Sequence, residues 1–223
     1  HSVITNLYLC SMDNECFKIA IDKQLIAEFP TVTFSGAITV IEHPEDVAEA
    51  VSYLRGHDIV GFDTETKPNF KKGMTNRVSL IQVSTEDRSF LFRLNKTGFT
   101  PELREFMECR DVLKVGLSLK DDFHVLHKAG DFEPHNFVDL QEMVKKYHIS
   151  DSSLQKIYAI LFNERISKGQ RLTNWEATKL SGAQMVYASI DAWACLHIYK
   201  YLSSGAYDPE KSPYIVKEEP TEE

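Results

Sequence analysis

No run of eighteen or more apolar residues occurs in the 223-residue chain, so none of it reads as a membrane-spanning helix. Cysteine is sparse: Cys10, Cys16, Cys109 and Cys195 are scattered, with no C-x-x-C pair. That excludes a zinc ribbon or a dithiol redox centre, and leaves ordinary packing in a reducing cytoplasm as the expectation. Of the eight histidines, His124 and His127 stand three apart without an H-E-x-x-H pattern, so a histidine-bound metal is not indicated. A cationic excess is missing too. The net charge of −8 is the wrong sign for a chain whose affinity for phosphates would come from Lys and Arg spread over its surface. Internal repeats and low-complexity blocks are absent apart from the acidic tail, and the apolar run ending at Leu9-Cys10 lacks the basic leader of a signal peptide or lipid anchor.

What is present is an ordinary globular composition, 43% apolar and 26% charged, on a chain long enough for one substantial core. Its acidity is unevenly distributed. Residues 206–223 hold six acids and two lysines, and with Pro209, Pro213 and Pro220 they read as a flexible acidic tail from 204 onward. Residues 36–203 account for every strong structural pattern and form the expected domain, with 1–35 as an extension of undetermined role.

Within that domain, PEDVAEAVSYLR (44–55) has helical spacing and acids in its first turn. Strands are expected at Ile59–Phe62 running into Asp63-Thr64-Glu65, at 78–83, 90–94, 112–115 and 137–138. The short link Ser84–Ser89 suggests a hairpin. Helices fit 119–129, from Leu140 onward, 153–161 and 183–202. Strands first in a meander and then alternating with helices describe a mixed α/β sheet.

Three pairs of residues carry chemistry. Asp63 and Glu65, two apart on a strand, project to one side, and two carboxylates beside a buried sheet repel each other unless a cation joins them. Tyr187 and Asp191, four apart on a helix, share a face beside an apolar stripe. In the doublet Asp121-Asp122, only Asp122 falls within the apolar arc of its helix, where an acid needs a partner. Each pair alone has a bland reading: a frayed strand end, a structural hydrogen bond, a helix N-terminus that favours acids.

Their order is informative. Gly61-Phe62-Asp63-Thr64-Glu65-Thr66 with Leu80-Ile81-Gln82, then Lys114 to Phe123, then Tyr187-Ala188-Ser189-Ile190-Asp191, resembles the three motifs of the ribonuclease D-like, Werner-type branch of the DEDDy 3′-5′ exonucleases. Asn136 to Leu140, Ser153-Leu154 and Asn174-Trp175 also fit that branch. The resemblance spans about 36–203. It implies a ribonuclease H-like (DnaQ-like) fold, a five-stranded mixed sheet flanked by helices. It also implies a metal-dependent hydrolase that frees nucleoside 5′-monophosphates from 3′ ends of DNA or RNA. By the same resemblance Asp63, Glu65, Asp122 and Asp191 would bind two divalent cations, Mg²⁺ or Mn²⁺, and Tyr187, with Glu65, would orient the attacking water. Tyr at 187 sets the chain apart from the histidine-type subfamily. The second motif departs from its usual form, with Ser118 in place of Asn and Asp121 in place of an aromatic, so Asp121 stands in reserve as the ligand.

Between Glu65 and Glu86 there is no acid, while Lys67, Lys71, Lys72 and Arg77 flank Phe70, a pattern suited to phosphates and a stacked base or equally to a solvated hairpin. A second basic cluster, Arg165, Lys168, Arg171 and Lys179, precedes the Tyr187 helix. Two other functions are carried forward: a catalytically silent nucleic-acid-binding module of the same fold, and a protein-interaction domain using the acidic tail.

Overall fold

The computed structural model describes residues 17–217. The strands are β1 (Phe17–Ile19), β2 (Ala37–Ile41), β3 (Ile59–Thr66), β4 (Val78–Ser84), β5 (Arg88–Arg93), β6 (Leu113–Gly116), β7 (Phe137–Asp139) and β8 (Ile215–Lys217). The helices are α1 (Lys23–Ile26), α2 (Pro44–Arg55), α3 (Leu94–Thr97), α4 (Pro101–Glu108), α5 (Leu119–Leu126), α6 (Leu140–Met143), α7 (Leu154–Phe162) and α8 (Gly182–Ser203).

The main sheet runs β2-β5-β4-β3-β6-β7. Its centre is the expected meander, β3 antiparallel to β4 and β4 to β5, while β6 and β7 add in parallel on the far side of β3. All five expected strands are therefore present. The sheet has six, however, because β2 adds in parallel to the free edge of β5. Its five residues are mostly half-buried, and a partner some fifty positions away is invisible to local patterning. Helix α4 was also not foreseen, although Pro101 at its first turn and the Thr100 hydroxyl accepting from the Leu103 amide are ordinary start signals.

Period-two alternation divides the sheet into two faces. From β3, Val60 and Phe62 enter a core with Val47, Val51 and Leu54 of α2 and Leu103, Phe106 and Met107 of α4. The opposite face, which carries Gly61, Asp63 and Glu65, lies under α8. This helix starts with a reciprocal cap between Ser181 and Gln184, and it is buried along most of its length between the sheet and α7.

Two buried cations hold connections in place. Lys114 of β6 donates to the carbonyls of Phe106, Cys109 and Val112 at 2.9–3.2 Å, closing the C-terminal end of α4. Arg93 of β5 pairs with Glu42 at 2.8 Å and donates to the carbonyls of Ala177 and Thr178, fastening the segment ahead of α8 to the sheet.

The tail expected to fray is ordered as far as Lys217. Ile215–Lys217 pairs antiparallel with Phe17–Ile19, and Tyr207, Tyr214 and Ile215 pack on the α7–α8 side of the core. These aromatic and branched side chains lie among the acids, and burying them outweighs the solvation that the charge count suggested. Cys10, Cys16, the Leu9-Cys10 run and the acids from Glu218 on lie outside the described residues.

Gly61 sets how closely α8 approaches. A Cβ at this position would stand 1.8 Å from the carbonyl oxygen of Ala192. Backbone meets backbone there, so no side-chain rotation relieves the clash. Gly61→Ala is expected to cost about 3 kcal/mol of folding stability, as over-filling a tight contact does. Chemical denaturation checks this, and a loss below about 1 kcal/mol would show that α8 can lift freely.

Candidate active site

Three elements converge at the C-terminal end of β3. Asp63 and Glu65 project from β3 toward α8, and Asp191 projects from α8 to meet them. One carboxylate oxygen from each lies within 4.8 Å of the others. Glu65 and Asp191 are 8% and 5% exposed, and Oδ1 of Asp191 is buried without a hydrogen-bond partner among the described residues. The outcome for the strand pair and the helix residue is convergence on one point.

Asp122 arrives from the other face of β3. Thr64, between the two strand acids, points away from α8, and its hydroxyl donates to Asp122 Oδ1 at 2.7 Å. Asp122 therefore stands beside the trio rather than within it, close enough for the Asp63 charge to act on it. Asp121 turns outward, exposed, and accepts from the Ser118 hydroxyl at 2.9 Å. Of the doublet, the side chain directed toward the other acids is that of Asp122. Ser118 itself sits at φ 58°, ψ 41°, a left-handed conformation that Asn enters more readily than Ser.

Electrostatics at the cluster are unfavourable without a counter-ion. Loss of hydration is the largest cause in every case. It lifts Glu65 to about 10, with Asp63, Asp191 and Asp122 adding repulsion and Arg171 opposing. It lifts Asp122 to about 8, with Asp63 adding and the Thr64 hydrogen bond opposing. It lifts Asp191 to about 7, against the Tyr187 hydrogen bond and Lys168. Asp63 is raised well above the carboxylate range by the same burial and by Asp191. Tyr187, one turn before Asp191, is buried against Trp175, and its phenol is pushed further up, first by burial and then by the neighbouring acids. It therefore remains a neutral donor. Buried oxygens that repel one another, one of them unpaired, are a donor set suited to hard divalent cations, and the residues present fit that group.

A groove of about 500 Å³ opens over the trio. Lys168 and Arg171 line it, as do Ser118, Gln141, Ser153 and Gln155. Arg171, expected to contact the nucleic-acid backbone, thus lies on the wall of the carboxylate groove. Lys67, Phe70, Lys71, Lys72 and Arg77 do not line this groove. They occupy the loop after β3, where Lys67 lies 3.8 Å from Glu176 and Phe70 is 86% exposed.

Two positioning residues, and one buried amide beside the site, were not given roles by the sequence reading. Thr64 holds Asp122. Asp139, at the end of β7, accepts from the amides of Ser118 and Leu119 at 3.1 and 2.9 Å and fixes the start of α5. Gln82 lies directly across from Asp63 on β4, with neither polar side-chain atom partnered among the described residues. Asp139 and Gln82 both fall within the quoted runs, so position in a motif was their only signal.

The four raised values set the pH dependence of folding. In the unfolded chain these carboxyls titrate near 4, so from there upward the folded state holds protons that the unfolded state has released. Stability of the metal-free protein is then greatest in mild acid and declines as pH rises through the folded values of about 7 for Asp191, about 8 for Asp122 and about 10 for Glu65. In EDTA the thermal midpoint should fall between about pH 5 and pH 9, and Glu65→Gln should flatten part of that fall. Identical pH profiles for the two proteins would contradict the repulsion described.

A family model described as 3′-5′ exonuclease matches residues 38–205. The mouse bifunctional 3′-5′ exonuclease/ATP-dependent helicase WRN is 28% identical over 198 residues, covering 84% of this chain and 14% of that protein. A 3′-5′ exonuclease of Arabidopsis thaliana is 26% identical over 190 residues, 78% of this chain and 66% of that protein. The chain thus spans a small part of the first relative and about two thirds of the second. Among solved structures, the Nibbler EXO domain of Aedes aegypti superposes with a TM-score of 0.69 at 23% identity, covering 81% of this chain and 97% of that one. Escherichia coli RNase D gives 0.67 at 19%, covering 75% and 44%. These likenesses confirm the ribonuclease H-like fold. The family match contains all three segments that deliver the clustered acids, and with it this chain belongs to the 3′-5′ exonuclease family.

Proposed function

We propose that the protein removes nucleotides one at a time from the 3′ end of DNA or RNA by a two-metal-ion mechanism. The observation that carries this reading is the meeting of Asp63, Glu65 and Asp191 within 4.8 Å, with Asp122 beside them. The trio would hold one divalent cation, Mg²⁺ or Mn²⁺, and Asp122 would join Asp63 in holding a second. When bound, such ions activate water and neutralise charge on the scissile phosphate. In the reaction, a water oxygen bonds to phosphorus as the bond from phosphorus to the 3′ oxygen breaks. One water proton goes to that leaving oxygen. The products are a nucleoside 5′-monophosphate and a strand one unit shorter.

The remaining work falls to this chain's own side chains. Tyr187, held neutral, donates a hydrogen bond and with Glu65 orients the attacking water. Arg171 and Lys168 face the phosphate across the groove, offsetting the acids around them. The exposed loop cations Lys71, Lys72 and Arg77, with Phe70, meet the strand beyond the groove. The buried free thiols of Cys109 and Cys195 suit a reducing compartment, and a cytoplasmic setting is part of the same proposal.

End-labelled single-stranded DNA and RNA incubated with Mn²⁺ or EDTA test the activity directly. Metal-dependent shortening from the 3′ end is expected. Binding without shortening would make the chain a silent nucleic-acid-binding module. Asp63→Ala and Asp191→Ala should each reduce the rate about a thousandfold or more while circular dichroism stays native. Undiminished metal-dependent cleavage by both variants would refute the mechanism. Reversing the charge of Lys71 and Lys72 together should weaken binding and make it less steeply salt-dependent; an unchanged salt slope removes the loop from the account.

A further inference from the structure

A second cleft, of about 420 Å³, adjoins the carboxylate groove and shares Ser153, Gln155 and Lys168 with it. Its floor is the start of α7. Its other wall comes from residues 23–31, which precede the segment matched to the exonuclease family. Lys23, Lys156, Arg165 and Lys168 line it, and no carboxylate does among the described residues. In a chain of net charge −8, a cation-lined cleft continuous with the candidate active site is a marked local departure.

The wall is fixed in place. The Val32 amide donates to the Arg165 carbonyl and the Arg165 amide to the Pro30 carbonyl, both at 2.8 Å. The Arg165 guanidinium reaches the Thr31 hydroxyl at 2.9 Å and the Ala27 carbonyl at 3.3 Å. Arg165 is thus spent on joining the two walls, and Lys156 is held by Asp151 at 3.1 Å. Among the described residues, the ammonium groups of Lys23 and Lys168 make no such hydrogen bond or ion pair. The N-terminal end of α7, capped by Ser153, opens between the two cavities and adds the partial positive charge of its unpaired amides.

We propose that this cleft is a subsite for the upstream part of a single-stranded substrate. The 3′-terminal nucleotide occupies the carboxylate groove, and the phosphates preceding it pass Lys168 into the cleft, where Lys23 faces the backbone. This rests on the nuclease reading for its polarity, and it adds that residues 23–31 belong to the substrate path. Contacts to phosphates carry no sequence information, so the subsite selects for strand length rather than for base identity.

The test is binding without turnover. Fluorescence anisotropy in Ca²⁺ compares a dinucleotide with a twelve-nucleotide single strand, on the full chain and on Lys23→Glu. The longer strand should bind the parent protein more tightly than the dinucleotide does. Lys23→Glu should weaken it about tenfold and make the salt slope shallower by roughly one, leaving the dinucleotide unaffected. Equal affinity of the parent protein and Lys23→Glu for the longer strand overturns the subsite, as does an equal loss on both ligands. The nuclease reading is judged separately, by cleavage of the same strands in Mn²⁺. A Lys23-independent protein that still cleaves leaves that reading standing. A Lys23-dependent length effect without cleavage leaves the cleft as a binding site and removes the catalysis.

Discussion

Everything at the candidate site depends on how closely α8 lies on β3. Their separation is set where the Gly61 α-carbon faces the Ala192 carbonyl, a contact with no room for a methyl group. Ala192 directly follows Asp191, so the point of closest approach lies one residue from the helix acid that must reach Asp63 and Glu65. A helix held a few ångströms further out would leave three separate acids in place of a cluster. Arg93 supports the arrangement from behind by fastening residues 177 and 178, which lead into the helix, to the end of β5.

That closeness has an electrostatic cost. The fold drives four carboxyls out of water and against one another, and their proton affinities rise accordingly. Nothing in the core requires acids at these positions; apolar residues of similar size would pack there with less strain. A fold that keeps unfavourable charges together in a buried cluster is storing capacity for a ligand of opposite sign. The lysines and arginines respond locally. Those that line the groove oppose the acids, whereas Lys114 and Arg93 are consumed by backbone carbonyls and serve the architecture.

Much of this was legible in the residues. Apolar runs bounded by polar or turn residues placed β3, β4, β5, β6 and β7, and helical spacing placed α8, within a few positions, a signal that each segment carries by itself. The spacing of Asp63 with Glu65, and of Tyr187 with Asp191, correctly put each pair on one side. The helical wheel separated Asp122 from Asp121. What stayed hidden were relations between distant segments. The pairing of β2 with β5, the hydrogen bond from Thr64 to Asp122 and the clasp of Asp139 on α5 each join residues that no local window contains. The described part of the tail, as far as Lys217, was misjudged because charge counts more visibly than the side chains of Tyr207, Tyr214 and Ile215 finding a surface.

The ribbon of Phe17–Ile19 with Ile215–Lys217 joins the two ends of almost the whole described chain. Closing so long a loop gives up chain entropy and returns only a short ladder of bonds, so this pairing is weak on its own and relies on the rest of the fold to bring its two strands together. Ile19 also bonds to the backbone of His148 and Ser150, so the ribbon reinforces an attachment of this strand that exists without it.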